Sequence, residues 1–167
     1  MAVIRHHLES LKQKIFASFE NVPYPKGRIA PHECAECEEV CQTFKNKNWK
    51  TIAPEILEEY NGVIPLFSPE AFQYFLPAYL IYSLNNFHED DTVCQFTVYS
   101  ITPSNKDINE SLAYRRSKFV HFSFEQMSCI YEFLDLARID ENFKNSAKEI
   151  SIGRQNLKEF IDPNFIK

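Results

Sequence analysis

The chain has 167 residues, of which 44% are hydrophobic and only three are glycine, and this composition excludes disordered and repetitive proteins. Its net charge of −5 removes the electrostatic basis for general binding to nucleic acid or to an anionic membrane, because both need a basic face. An acidic surface suits a basic protein partner, which we expect for this chain.

The N-terminal residues turn amphipathic at once, without the apolar run and small-residue cleavage site of a signal peptide. The longest apolar stretch, residues 72–84, is interrupted by polar residues and by Pro77, and it is too short for a membrane span. The five cysteines are odd in number and three lie close together, which favours reduced thiols or metal ligands over disulfide bonds. We therefore predict a cytoplasmic protein.

The first predicted helix covers residues 2–20. Its apolar residues recur at intervals of three and four and form one stripe of Ile4, Leu8, Leu11, Ile15 and Phe19. A proline-rich loop follows, and Pro31 predicts the start of a second helix, because the first turn of a helix needs no N–H donor. Three cysteines would then lie in the first turns of that helix and share one face: Cys34, Cys37 and Cys41.

Two further helices are predicted to begin at prolines. Pro54 begins a short helix with acidic residues near the positive end of the helix dipole. Ser68 can cap the free N–H groups of the next helix, while Pro69 fixes its first φ angle. That helix is predicted to run to about Asn86, with a kink at Pro77, which has no N–H to donate.

The second half of the chain contains one ambiguous segment, residues 91–101. Its β-branched and aromatic residues favour a strand, yet Asp91 could cap a helix. We favour a helix, because no second convincing strand offers a partner. A polar helix is predicted over residues 107–118, and Ser123 and Gln126 have the spacing of a capping box at the start of another helix.

A terminal helix over residues 145–161 completes the predicted elements. Together they predict an all-α protein in which residues 1–167 form a single domain. We expect a compact bundle of about six or seven helices with a proline-kinked central helix.

The cysteine cluster is the strongest chemical signal in the sequence. A zinc site needs about four ligands, commonly thiolate and imidazole, and a Cys-x-x-Cys spacing lets two thiolates bind one ion. We therefore predict that zinc would be held by His32, Cys34, Cys37 and Cys41. Geometry along one helix could prevent all four from reaching the same point, so a ligand from elsewhere is the alternative: His88, His121 or Cys94.

Two other interpretations of the cluster stay open. In one, the cysteines are small buried hydrophobic residues. In the other, Cys34 and Cys37 carry out redox chemistry, under two opposing influences on the thiol pKa. The helix N-terminus would lower it, whereas four nearby glutamates would raise it. The βαβ context of a thioredoxin-like motif is also missing.

Three segments in this order resemble an uncharacterised family of small bacterial proteins. The segments are His32-x-Cys34-x-Glu36-Cys37, the stretch Ser68-Pro69-Glu70-Ala71-Phe72-x-Tyr74-Phe75-Leu76-Pro77-Ala78-Tyr79, and Phe122-Ser123-x-Glu125-Gln126. The resemblance covers roughly residues 30–137 and implies a helical single-domain protein in which the His-Cys-Glu-Cys motif matters. It implies no reaction.

Two hypotheses for function follow. The first is a non-catalytic binding protein, similar to an immunity protein, whose acidic surface neutralises a basic toxin or nuclease. The alternative is a zinc-binding or thiol-dependent enzyme centred on His32, Cys34 and Cys37. No catalytic or cofactor-binding residue is assigned, because the sequence has no phosphate-binding glycine loop, nucleophile elbow or His-Glu-x-x-His pair. The oligomeric state stays open.

Overall fold

A computed structural model describes residues 2–86, 91–102 and 117–161 of the chain. Seven α-helices have both ends within these ranges: α1 (Ala2–Phe19), α2 (Ala35–Phe44), α3 (Pro54–Glu59), α4 (Pro69–Asn85), α5 (Thr92–Ile101), α6 (Phe124–Ile139) and α7 (Ala147–Ile161). Three 3-10 segments join them: Trp49–Thr51, Asn61–Leu66 and Glu141–Ser146. The described ranges hold no strand. The predicted all-α fold is confirmed.

Helix α4 is the centre of the molecule. It contacts α1, α3 and α5, and eleven of its 17 residues are buried. The oxygen of Ser68 accepts a hydrogen bond from the backbone N–H of Ala71 at 3.2 Å, which is the predicted cap. Pro77 lies inside the helix, also as predicted. No helix in the described ranges is both long enough and apolar enough to cross a membrane.

Two groups of three aromatic rings pack against α4. In the first, Phe44, Phe67 and Phe75 have ring centroids 5.0–5.4 Å apart. In the second, the centroid distances are 5.1–5.6 Å among Phe72, Phe119 and Phe122. Each aromatic pair stabilises the fold by roughly 0.5–1.5 kcal/mol beyond its buried area. The first group matters for the site, because Phe44 is the last residue of α2 and fixes that helix to the core.

A glutamine pair joins three of the helices. The side-chain amide of Gln73 on α4 donates to Gln126 Oε1 on α6 at 2.9 Å. The side-chain amide of Gln126 donates in turn to the backbone oxygen of Ser18 on α1, also at 2.9 Å. Gln126 is also the N3 residue of the predicted capping box with Ser123, which is present. One buried residue therefore caps α6 and aligns it with α1 and α4.

The ambiguous segment is helical, as predicted: α5 begins after Asp91, whose Oδ1 accepts from the backbone N–H of Cys94 at 3.1 Å. The terminal helix is also confirmed as α7. The predicted helix over residues 107–118 lies outside the described residues except for 117 and 118, which are helical.

The prediction that Pro31 begins the second helix is wrong. Helix α2 begins at Ala35, and Cys34 is its N-cap. Proline can stand in a first turn, but it does not by itself form a cap, and the sulfur of Cys34 supplies the cap three residues later.

Candidate thiol site

The N-terminus of α2 presents two cysteines in different environments. Cys34 has extended backbone angles (φ −136°, ψ 163°) and an exposed side chain. Cys37 lies within the helix and is 1% exposed, on the same buried face as Val40 and Phe44. The sequence predicted that Cys34 shares a helical face with Cys37 and Cys41. The extended conformation of an N-cap residue instead turns Cys34 outward, away from the core.

Hydrogen bonds from Ser68 and Cys41 hold the loop that precedes α2 in place. The N–H of Ser68 donates to the backbone oxygen of Ile29 at 2.7 Å, which fixes the loop beside the start of α4. The backbone N–H of Ala30 donates to the sulfur of Cys41 at 3.4 Å, and the Cys41 thiol donates back to the Ala30 oxygen at 3.6 Å. Cys41 therefore has a structural role, holding the loop against α2.

Arg28, which no sequence motif pointed to, also holds the loop against α2. The Nε of Arg28 donates to the Ala30 oxygen at 2.8 Å, and its Nη2 forms an ion pair with Glu38 Oε2 at 2.8 Å. The ten-residue separation between Arg28 and Glu38 carries no periodic signal, so the sequence offered no basis for predicting the pair. The pair connects the loop to the second turn of α2.

Hydrogen bonds connect Cys37 to the sulfur of Cys34. The backbone N–H of Cys37 donates to Cys34 Sγ at 3.4 Å, in the position where an N-cap oxygen normally accepts. The thiol of Cys37 also donates to the Cys34 sulfur. The backbone N–H of His32 donates to the sulfur of Cys37. The structure therefore brings Cys34 and Cys37 together and places the backbone of His32 beside them, while the His32 side chain is exposed.

The hydrogen bonds shift the two thiol pKa values in opposite directions. The N–H and the thiol of Cys37 lower the pKa of Cys34, because both donate to its sulfur. They outweigh desolvation of the sulfur and the charge of Glu36, which both raise that pKa. The hydrogen bond to Cys34 raises the pKa of Cys37, and burial raises it further. The sequence left open whether the helix N-terminus or the glutamates dominate the thiol pKa. The pKa of Cys34 is lowered and that of Cys37 is raised, so Cys34 is the sulfur that ionises first.

Four glutamates lie within five residues of Cys34 in the chain. Glu33, Glu36, Glu38 and Glu39 are all exposed, and Arg28 is the one basic residue between positions 28 and 41, so this stretch carries a net charge of −3 with His32 neutral. We call these four glutamates the acidic rim. Glu38 is paired with Arg28, and Glu39 accepts a hydrogen bond from the Tyr60 hydroxyl at 2.8 Å.

The predicted zinc ligands are only partly gathered. Among the residues that the structure describes, no group of three or more His, Cys, Asp and Glu side chains is placed so that it could hold a metal ion. Cys41 is engaged with Ala30. The zinc assignment to His32, Cys34, Cys37 and Cys41 stays a prediction.

The three alternative ligands lie in different settings. His121 is exposed, and Cys94 is buried in α5, where burial raises the pKa of its thiol to about 12. His88 lies outside the described residues.

The fold and the site together define an all-α protein with a hydrogen-bonded Cys-x-x-Cys pair at a helix N-terminus. The profile of a family described as "Family of unknown function (DUF6714)" matches residues 8–161, and the chain belongs to this family. The match is wider than residues 30–137, the extent of the resemblance seen in the motifs. No curated protein and no solved structure matches the chain significantly.

Proposed function

We propose that this protein carries out thiol–disulfide exchange through Cys34 and Cys37. The observation that carries the proposal is the arrangement of the pair. An exposed sulfur at the N-cap of α2 accepts hydrogen bonds from the N–H and thiol of a buried cysteine three residues later. Reactive cysteines are exposed thiols whose pKa is lowered in this way, whereas buried structural cysteines are inert.

The reaction begins with the Cys34 thiolate, which attacks one sulfur of a substrate disulfide and forms a mixed disulfide. The other substrate sulfur leaves as a thiolate and takes up a proton. The Cys37 thiol then loses its proton and attacks the Cys34 sulfur, releasing the second substrate thiol. Two substrate thiols are formed, and the protein dithiol becomes a disulfide, so the substrate gains the two electrons and two protons that the protein loses.

The hydrogen bond between the cysteines gives this sequence its order. In the reduced protein the Cys37 proton is shared with the Cys34 sulfur, which raises the pKa of Cys37 and keeps it protonated. Once Cys34 is bound in a mixed disulfide it carries no negative charge, and this cause of the raised pKa is removed. Cys37 therefore becomes the better nucleophile at the step where it is needed.

The test uses a neutral disulfide, bis(2-hydroxyethyl) disulfide, with the full-length reduced protein. We expect the protein to lose two hydrogen atoms and form a Cys34–Cys37 disulfide, identified by peptide mass spectrometry. The Cys34→Ser variant should not react, and the Cys37→Ser variant should stop at the mixed disulfide. Cys129→Ala is the matched control, because it removes a buried thiol on α6 and should exchange normally.

Two results would contradict the proposal. One is oxidation that proceeds equally well in the Cys34→Ser variant. The other is near-stoichiometric zinc in the purified, tag-free protein together with protected thiols, which would instead support zinc binding by His32, Cys34, Cys37 and Cys41.

We also propose a cytoplasmic location. Its support is that all five cysteines are free thiols, a state typical of proteins in a reducing compartment. Fractionation of the native cell tests this location, and recovery of the protein outside the cytoplasm would contradict it.

The second candidate is the non-catalytic binding protein, similar to an immunity protein, that neutralises a basic toxin or nuclease. The observation that favours it is the continuity of acidic residues from α2 to α3. Glu39 is bonded to Tyr60, which follows Glu58 and Glu59 at the end of α3. Protection against the product of a toxin gene beside this one should survive Cys34→Ser and be lost in Glu39→Lys. No protection in the parent protein would contradict this candidate.

A further inference from the structure

The acidic rim lies close in the chain to the sulfur that the proposed function uses, and Glu36 acts on that sulfur electrostatically. Its charge has a direct consequence for the substrate. An incoming disulfide must approach Cys34 closely enough for a bond to form between two sulfurs. At that distance charges on the substrate within about 8–10 Å of its disulfide are not screened by physiological salt. A negatively charged substrate is repelled by the rim and by the Cys34 thiolate, whereas a positively charged one is attracted.

The members of the rim differ in how free their charge is. Glu38 is ion-paired with Arg28 at 2.8 Å, so its charge is largely neutralised. Glu39 accepts a hydrogen bond from Tyr60, which leaves its charge unpaired by any cation at that contact. Glu36, in the first turn of α2, acts electrostatically on the sulfurs of both Cys34 and Cys37. Glu36 is therefore the carboxylate whose field the reacting atoms feel most directly.

From the exposed sulfur of Cys34, the field of Glu36 on it and the other exposed glutamates beside it in the chain, we propose that the substrate is a disulfide carried on a basic polypeptide segment. The proposal rests on the thiol–disulfide exchange proposed above. A basic segment can place lysine or arginine side chains against Glu33, Glu36 and Glu39 while its disulfide reaches Cys34. The rim selects substrates by accelerating association, as complementary charge does in general.

The experiment compares three short disulfide-linked peptides that differ only in the residues flanking the cysteine: lysine, serine or glutamate. Each rate is divided by the rate of the same peptide with 2-mercaptoethanol, which removes differences in intrinsic reactivity. At low ionic strength we expect the lysine peptide to react about tenfold faster than the glutamate peptide, with serine between them. The preference for the lysine peptide should fall severalfold in 0.5 M NaCl, because the Debye screening length at that salt concentration is only about 4 Å.

Two variants locate the effect. Glu36→Gln should reduce the preference for lysine about twofold, as expected for loss of one charge at several ångströms in water. Glu149→Gln removes the same charge from an exposed position on α7, which packs against α6, and should leave the preference unchanged.

The outcomes separate this inference from the proposed function. If no peptide reacts, including the serine peptide, the exchange activity itself is absent and both proposals fail. If all three react at the same normalised rate, or if the glutamate peptide is fastest, the exchange activity stands and the proposed basic substrate is wrong. A lysine preference that falls about twofold in Glu36→Gln and severalfold in high salt supports it.

Discussion

Helices α2 and α5 begin in the same way but with different chemistry. Each has a cysteine at the third helical position whose backbone N–H donates to the side chain of the N-cap residue. In α5 the acceptor is the Oδ1 of Asp91, at 3.1 Å, and in α2 it is the Sγ of Cys34, at 3.4 Å. The caps of α4 and α6 are also oxygens, from Ser68 and Ser123.

The sulfur cap of α2 differs from the oxygen caps in its strength as a hydrogen-bond acceptor. Serine, threonine, aspartate and asparagine are the preferred caps, and each is worth about 1 kcal/mol over alanine, whereas sulfur is a weak acceptor. A thiol at the N-cap of α2 is therefore a poor choice for stability, in a fold that uses oxygen at the other three caps named above. The same position exposes Cys34 and lowers its pKa, which are the properties that a reactive thiol needs.

The largest difference we expect is in thiol reactivity. Cys34 should react with iodoacetamide on the order of a thousand times faster than Cys94 in the native protein. Cys34 is exposed, whereas Cys94 is buried, with its pKa raised to about 12, and reacts only after local unfolding. Peptide mass spectrometry measures both rates in one sample. In urea the two rates should converge, and equal rates under native conditions would remove the basis of the comparison.

The second expected difference is in the free energy of unfolding. Asp91→Ala should lower it by about 1–2 kcal/mol, because Asp91 caps α5 and also accepts from the Tyr82 hydroxyl at 3.2 Å. Cys34→Ala should lower it by only about 0.3 kcal/mol or less, since a sulfur cap contributes little. Urea denaturation followed by circular dichroism gives both values. Similar losses at the two positions would show that the sulfur is an effective cap.

A third, smaller effect separates stability from chemistry at one position. Cys34→Ser places a preferred cap on α2 and should raise the free energy of unfolding by about 0.5 kcal/mol while abolishing exchange. Cys34→Ala should abolish exchange without the gain. A lower free energy of unfolding in Cys34→Ser would mean that the sulfur stabilises the fold by packing against its surroundings. That result would contradict the view that reactivity explains the cysteine at this N-cap.

The smallest effect concerns pH. The rate of Cys34 alkylation should rise with pH and level off above the pKa of Cys34, with an inflection at lower pH than that of an ordinary cysteine. Cys37→Ala removes the thiol donor but keeps the backbone N–H, which is the larger cause. The inflection should therefore move upward and still stay below the ordinary value. Cys129→Ala is the control, and an unmoved inflection in Cys37→Ala would exclude the thiol hydrogen bond.

Local patterns in the sequence determined most of the fold. The buried stripe of α1 from Leu8 to Phe19, the cap at Ser68 and the capping box at Ser123 each depend on residues that follow one another at intervals of three or four. Such short-range interactions leave a direct trace in residue spacing, so the helices and the all-α class followed from the sequence.

The start of α2 and the surroundings of its cysteines depend on contacts that form only in the folded chain. The spacing of Cys34 and Cys37 identified a pair. The outward turn of Cys34 depends on the loop before it, which is held by Ser68, distant in sequence, and by the ion pair of Arg28 with Glu38, which follows no periodic spacing. The balance between the helix N-terminus and the glutamates likewise depends on hydrogen bonds at particular distances. Spacing gives no distances across a loop, so the sequence could name the residues but not rank their reactivity.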